Sequence, residues 1–287
     1  MLTASFPTAK DREQLERKEL ARGAWRDGQI DNALLIIDSV LAEEMSPEVA
    51  AACYSAKAGF LSSKGDFAGA LETLRRMAPF LESADVRIQG TFYNTRARAH
   101  RNLNNLDDAL TDYTGALALW QSCGDRNYEG AVSINLAELY LILGDLKQAN
   151  DNADHALGVL PKASEYLCNA FDTKAKILLA DGQALKALDL IERALEAAGD
   201  HEEWRKRFAE TQGKIKEHLL ASLIPLVTMT DLDELKVQII RHALDQAGGS
   251  VTIAAKKLCT SHQVVSYTAN VHGLERAKRR RSIIKTF

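Results

Sequence analysis

The stretch Gly144-Asp145-Leu146-Lys147-Gln148-Ala149 decides the fold, because it recurs. Its counterparts are Gly28-Gln29-Ile30-Asp31-Asn32-Ala33, Gly65-Asp66-Phe67-Ala68-Gly69-Ala70, Asn104-Asn105-Leu106-Asp107-Asp108-Ala109 and Gly182-Gln183-Ala184-Leu185-Lys186-Ala187. Each runs from turn-forming residues through an apolar residue to an alanine, and the alanines lie at 33, 70, 109, 149 and 187. A near-constant period of this kind is the mark of a repeat architecture. Each string reads as the hinge of a helical hairpin: Gly or Asn takes the conformation that ends one helix, and the Ala lets the next pack closely.

Other small positions keep the same register. Ala21, Ala58, Ala97, Ala137 and Ala175 lie twelve residues before the shared alanine, and Val40, Met77, Ala116, Ala156 and Ala194 lie seven after it. The pattern resembles the tetratricopeptide repeat (TPR), with the fourth unit the cleanest: Leu136-Ala137, Tyr140, Gly144, Ala149, Ala156 and Pro161. The period here exceeds the basic unit of about 34 residues, so extended helices or longer inter-repeat loops are expected. The resemblance implies an all-α, TPR-like α-solenoid of about five helical hairpins over residues 1–219. Its last helix would be a cap, rich in Glu, Lys and Arg around Trp204, Phe208, Ile215 and Leu219, because an uncapped solenoid exposes its terminal apolar face.

In such a stack the first helix of each hairpin lines the concave side. That face should display Asn94, Arg98 and Arg101, then Asn135 and Glu138, then Thr173 and Lys176. Asn can grip a peptide backbone through donor and acceptor, and Arg can hold a carboxylate bidentately. The natural ligand is a protein or peptide segment. The plainer alternative is that these are solvated polar residues on a helix.

Residues 220–230, with Pro225, read as a short linker, and residues 231–287 as a second module. Leu232, Leu235, Val237, Ile239, Ile240 and Leu244 suggest an amphipathic helix stopped by Gly248-Gly249. Ser250 can cap a second helix with Ile253, Ala254 and Leu258 at helical spacing. After Cys259-Thr260, Ser261 can cap a third, with Val264, Val265 and Ala269 facing inward and His262, Gln263, Ser266 and Tyr267 outward.

From Ile240 to Leu274 this module resembles the Fis-type helix-turn-helix of bacterial regulators. The residues that carry the likeness are Ile240, Ala243-Leu244, Gly249-Ser250, Thr252, Ala254-Ala255, Leu258, Val264-Val265 and Gly273-Leu274. Cys259 stands where that family usually has a turn Gly, and His262 where it usually has Arg; Ser266, Tyr267, Thr268 and Asn270 replace its usual basic residues. The resemblance implies double-stranded DNA as partner and a homodimer on a two-fold site. The contacts would come from Lys256, Lys257, Ser261, His262, Gln263, Ser266 and Tyr267, with Arg276, Lys278, Arg279, Arg280 and Arg281 on phosphates.

Charge supports that division. Residues 231–287 hold ten Lys or Arg against five Asp or Glu, a net of +5, so the remainder carries −8 to give the chain's −3. Basic charge concentrates where phosphates lie, since counterion release drives DNA affinity. A module retained only for packing or dimerisation is the alternative.

Other functions find no residues to carry them. The seven His are scattered, no GxSxG, Walker A or HExxH string occurs, and Cys53, Cys123, Cys168 and Cys259 form no CxxC pair. No catalytic role, cofactor or metal is expected. With no membrane span and no secretory core near Met1, a cytoplasmic protein is expected. Two functional readings stay open: a bacterial transcription regulator with a partner-binding TPR array and a DNA-binding module, or a TPR adaptor or scaffold whose C-terminal helices contact only protein.

Overall fold

The structure, a computed structural model, describes residues 8–223 and 229–274. Fourteen α-helices and one short 3-10 turn make up the described residues, and no strand occurs among them. Two compact units divide the chain, residues 1–216 and 217–287.

The first unit is a run of antiparallel helix pairs. The pairs are α1 (Ala9–Arg26) with α2 (Ile30–Leu41), α3 (Pro47–Lys64) with α4 (Phe67–Met77), and α5 (Val86–Asn102) with α6 (Leu106–Cys123). They continue with α7 (Arg126–Leu143) and α8 (Leu146–Val159), then α9 (Leu167–Ala180) and α10 (Ala184–Ala197). Helix α11 (Glu202–Leu223) follows.

All fifteen residues of the three repeating sets are fully buried, at 0% exposure. Small side chains at these positions let neighbouring helices approach closely, which is why alanine fills thirteen of the fifteen. The five hinge residues, Gly28, Gly65, Asn104, Gly144 and Gly182, all have positive φ, between 63° and 86°. Asn104 is the one non-glycine among them, and its short polar side chain tolerates the left-handed region better than most residues do. Asp66, Asp125 and Asp145 then cap α4, α7 and α8 by accepting backbone N–H bonds.

The central hairpins hold the largest side chains. Trp120, Tyr113, Val132, Leu136 and Leu139 form one core cluster around Ala97, Ala109 and Ala116. Gly90 is there because the Trp120 indole lies against it: a Cβ added at Gly90 would meet Trp120 Cε2 at 2.7 Å. Arg96 ties α5 to α6 with a bidentate pair to the buried Asp112, at 2.7 and 2.6 Å, and its guanidinium also stands over the rings of Phe92 and Tyr93. Helix α11 buries Phe208, Thr211 and Ile215 at spacings of three and four and leaves most of its remaining described positions through Ser222 exposed, the face expected of a cap. It continues through Leu223, so residues 220–223, read above as linker, are helical; Leu219, Leu220 and Ala221 are good helix formers.

The second unit has three helices, α12 (Met229–Gln246), α13 (Val251–Lys257) and α14 (His262–Val271). Their shared core is Ile240, Ala243, Leu244, Ala254, Ala255, Val265 and Ala269, with Val251, Leu258 and Leu274 at its edge. Gly248 and Gly249 both have positive φ, and the Gly249 N–H returns to the Leu244 carbonyl at 2.8 Å to close α12. Three inward assignments are corrected. Leu235, Ile239 and Ile253 are 41%, 46% and 51% exposed, because Val237, Ile240 and Leu244 supply the inner stripe of α12, and Ala254 and Ala255 that of α13. The side chain of Leu232 lies outside the described residues.

Candidate functional site

The residues expected on the first helices of the hairpins do converge, but on one another. Arg98 Nε donates to Ser62 Oγ of the preceding hairpin at 2.8 Å. Asn135 Nδ2 donates to Asn94 Oδ1 at 3.0 Å. Arg101 and Glu138 form an ion pair at 2.8 Å, and the other Glu138 oxygen accepts from Thr173 Oγ1 at 3.4 Å. Lys176 pairs with Asp172 of its own helix at 2.7 Å. A polar ladder therefore runs from α3 through α5 and α7 to α9.

Two expectations about this face are corrected. Thr173 is 1% exposed, so it is a buried rung rather than a displayed contact. Arg98 and Arg101 are half-buried rather than free on a solvated helix face, because each repeat brings its first helix against the next.

The ladder's charges are unevenly matched. Arg101 has Glu138, whereas Arg98 has only the neutral Ser62 hydroxyl as a side-chain partner among the described residues. Burial, aided by the like charge of Arg101, lowers the Arg98 pKa, but a guanidinium stays protonated at any physiological pH. Tyr113 of α6 has its hydroxyl in the field of Arg98, Arg101 and Glu138, with no hydrogen-bond partner of its own among the described residues. Burial pushes this phenol up to about 12, against the pull of the two arginines. The Oδ1 oxygen of Asp172, a residue 1% exposed, is likewise unpartnered. Unmet polar groups of this kind carry a desolvation cost of about 1–3 kcal/mol each, and both atoms are buried rather than presented at the surface. Reading along the chain missed Ser62, Tyr113 and Asp172. Asp172 carried a signal, four residues before Lys176 on one helix; Tyr113 carried none, because its hydroxyl reaches the ladder from the second helix of its hairpin.

In the second unit the turn between α13 and α14 is built around Cys259, at φ 50°. The Thr260 N–H returns to the Ala255 carbonyl at 3.0 Å, and Ser261 Oγ caps α14 by accepting from Val264 N–H at 3.3 Å. Ser250 caps α13 in the same way, accepting from Ile253 N–H. Lys256, Lys257, Ser261, His262, Gln263 and Tyr267 are exposed, and Ser266 is half-buried. Lys257 Nζ donates to Gln246 Oε1 at 3.3 Å. Arg276, Lys278, Arg279, Arg280 and Arg281 lie outside the described residues.

One inward assignment on α14 is corrected: Val264 is 39% exposed. The buried face is Val265, Thr268 and Ala269, so the outward side carries Gln263, Tyr267 and Asn270, flanked by Val264 and Val271. The four cysteines are free, with Cys259 exposed and Cys53 buried. Among the described residues no cluster of three or more His, Cys, Asp or Glu could hold a metal, and no helix is long and apolar enough to cross a membrane.

Residues 89–162, spanning nearly all of α5 through α8, match the tetratricopeptide repeat family model. No curated protein matches the chain. Several solved TPR structures share its fold. A putative kinesin light chain from Podosopora anserina with nearly identical TPR-like repeats is 17% identical, with 68% of this chain and 99% of that one covered and a TM-score of 0.54. A thermophilic TPR protein of Thermus thermophilus is 20% identical over 69% of this chain and 98% of its own, with a TM-score of 0.51. A signal transduction ATPase with numerous domains from Pyrococcus horikoshii, bearing a TPR sensor, is 15% identical over 92% of this chain and 41% of its own, with a TM-score of 0.59. The first unit is thus a TPR-like array of helical hairpins, a fold that serves protein–protein interaction.

Proposed function

We propose that this chain is a transcription regulator in which the TPR array captures a protein or peptide partner and residues 231–287 dock on double-stranded DNA as a Fis-like helix-turn-helix. The observation that carries the reading is the α13–α14 pair. Two short helices, each capped by a serine, meet through a left-handed Cys259 over a small core of Ala254, Ala255, Val265 and Ala269. That arrangement frees one side of the second helix for a groove. The net +5 of residues 231–287, against −8 in the remainder, supports the same reading. Pairing into a homodimer would match a two-fold site.

On the array, the partner segment would lie along the ladder. Arg98 is the cation with charge to spare, and a partner carboxylate would complete it. Capture would alter regulation only if the partner binds two states of the protein with different affinity.

The adaptor reading also has an observation in its favour. Helix α14 contains no Lys or Arg, and it exposes Tyr267 at 70% and Val271 at 58%. An electrophoretic assay of the full chain with random-sequence duplex over a salt series separates the two. Retardation that weakens steeply with salt supports DNA docking. No retardation at low salt hands the function to protein contacts alone.

A further inference from the structure

Helix α14, His262-Gln263-Val264-Val265-Ser266-Tyr267-Thr268-Ala269-Asn270-Val271, contains no Lys, Arg, Asp or Glu. That absence bears on base readout. In the major groove guanine is recognised chiefly by Arg or Lys at O6 and N7, and cytosine by a carboxylate accepting from its amino group. Neither kind of side chain is on this helix. Adenine is recognised by a Gln or Asn amide at N6 and N7, and thymine by apolar contact with its methyl group. Both of these are present.

The geometry places them together. Val265, Thr268 and Ala269 are 0%, 4% and 1% exposed and fix the inward side. Gln263 then lies on the opposite side one turn before Tyr267, and Val264 adjoins it at 39% exposure. Both stand in the first turn after the Ser261 cap, the end of a recognition helix that reaches base edges. A valine left in water there, beside an amide, has the chemistry of an A·T step: the amide spans the adenine edge and the valine methyls cover the neighbouring thymine methyl. Exposed Lys256 on α13 supplies positive charge for the phosphates.

We infer that α14 reads A·T-rich sequence in the major groove, with Gln263 set for adenine and Val264 for the thymine methyl. The inference rests on the DNA reading above and sharpens it.

The test uses the full chain and a random duplex library. Selected duplexes are then rebuilt with deoxyuridine in place of thymine, which removes only the methyl group. The enriched motif should be A·T-rich. Deoxyuridine should weaken wild-type binding about fourfold, the value of one buried methyl-sized group, and should leave Val264→Ala unaffected. Gln263→Ala should cost about tenfold on the selected duplex, with little effect on a scrambled one. Val264 and Gln263 are exposed, so circular dichroism of both variants should match the wild type. A motif centred on G·C pairs, or a deoxyuridine penalty unchanged in Val264→Ala, overturns the inference and leaves DNA docking standing. Binding of the library without enrichment of any motif also overturns the inference and leaves DNA docking standing. No binding of any duplex at low salt overturns both, and assigns the exposed face of α14 to a protein surface.

Discussion

Arg101 of α5 and Glu138 of α7 meet at 2.8 Å across two successive hairpins, and Glu138 also accepts from Thr173 of α9. One carboxylate thus ties three repeats. Stability in a solenoid is close to a sum of repeat and nearest-neighbour contributions, so a contact of this kind belongs to the interfaces and not to any one hairpin.

The pair is 17% and 32% exposed, which leaves it partly screened by water. A double-mutant cycle with Arg101→Gln and Glu138→Gln should give a coupling of about 1 kcal/mol in urea unfolding, shrinking as salt is raised. A coupling indistinguishable from zero would show that the rung is geometric only. The same geometry means that reversing charge at Arg101 disturbs the array itself, so Arg98→Gln is the cleaner probe of partner capture.

Gly90 and Gly59 make a contrast within one architecture. A Cβ at Gly90 would sit 2.7 Å from the Trp120 indole, a rigid side chain that is 2% exposed, whereas a Cβ at Gly59 would meet nothing within 4 Å. Gly90→Ala should destabilise the protein by about 1–3 kcal/mol through overpacking. Gly59→Ala, in the interior of α3, should stabilise it by about 0.5–1 kcal/mol by restricting the unfolded chain. Equal shifts of one sign in urea midpoints would contradict the packing around Trp120.

The hairpins were legible in the sequence because their signal is redundant: fifteen small or apolar positions and five turn residues repeat together, and all fifteen prove fully buried. The ladder was legible only as a set of helix positions. Asn94, Arg98, Arg101, Asn135, Glu138 and Thr173 fall on the expected helices, yet their partners lie 35 to 41 residues away, and no pattern along the chain announces which rotamers meet. On α14 the phase was obscured by one hydroxyl. Thr268 completes the buried stripe with Val265 and Ala269, and reading it as polar left Val264 to fill the inner face in its place.

Cys259 holds a left-handed conformation that a side chain adopts at a cost of about 1 kcal/mol. Its side chain is exposed, so little packing is lost when it is removed. Cys259→Gly should therefore stabilise the C-terminal unit by about 0.5–1 kcal/mol, with the gain trimmed by the entropy that Gly adds to the unfolded chain. Amide hydrogen exchange of Leu244, Ala255 and Val265 in the full chain reads this unit separately from the array. Faster exchange in the variant would mean that Cys259 contributes packing that its exposure does not reveal.

The final prediction separates two sources of positive charge. Arg279, Arg280 and Arg281 lie in the sequence beyond the described residues, while Lys256 is exposed on α13 beside the turn. Phosphate contacts release counterions whatever the base sequence, so each lost contact should flatten the log–log salt dependence of DNA binding by about 0.9. Replacing the three arginines by Ala should weaken selected and random duplexes alike and flatten the slope by about 0.9 for each residue that touches a phosphate. Lys256→Ala should flatten it by about one contact only. If the arginine variant keeps the wild-type slope while Lys256→Ala lowers it, phosphate binding resides on α13 and the basic run takes no part in the interface. If neither variant changes the slope, the +5 of residues 231–287 serves some purpose other than DNA, and the polar, uncharged face of α14 becomes the surface that needs a partner.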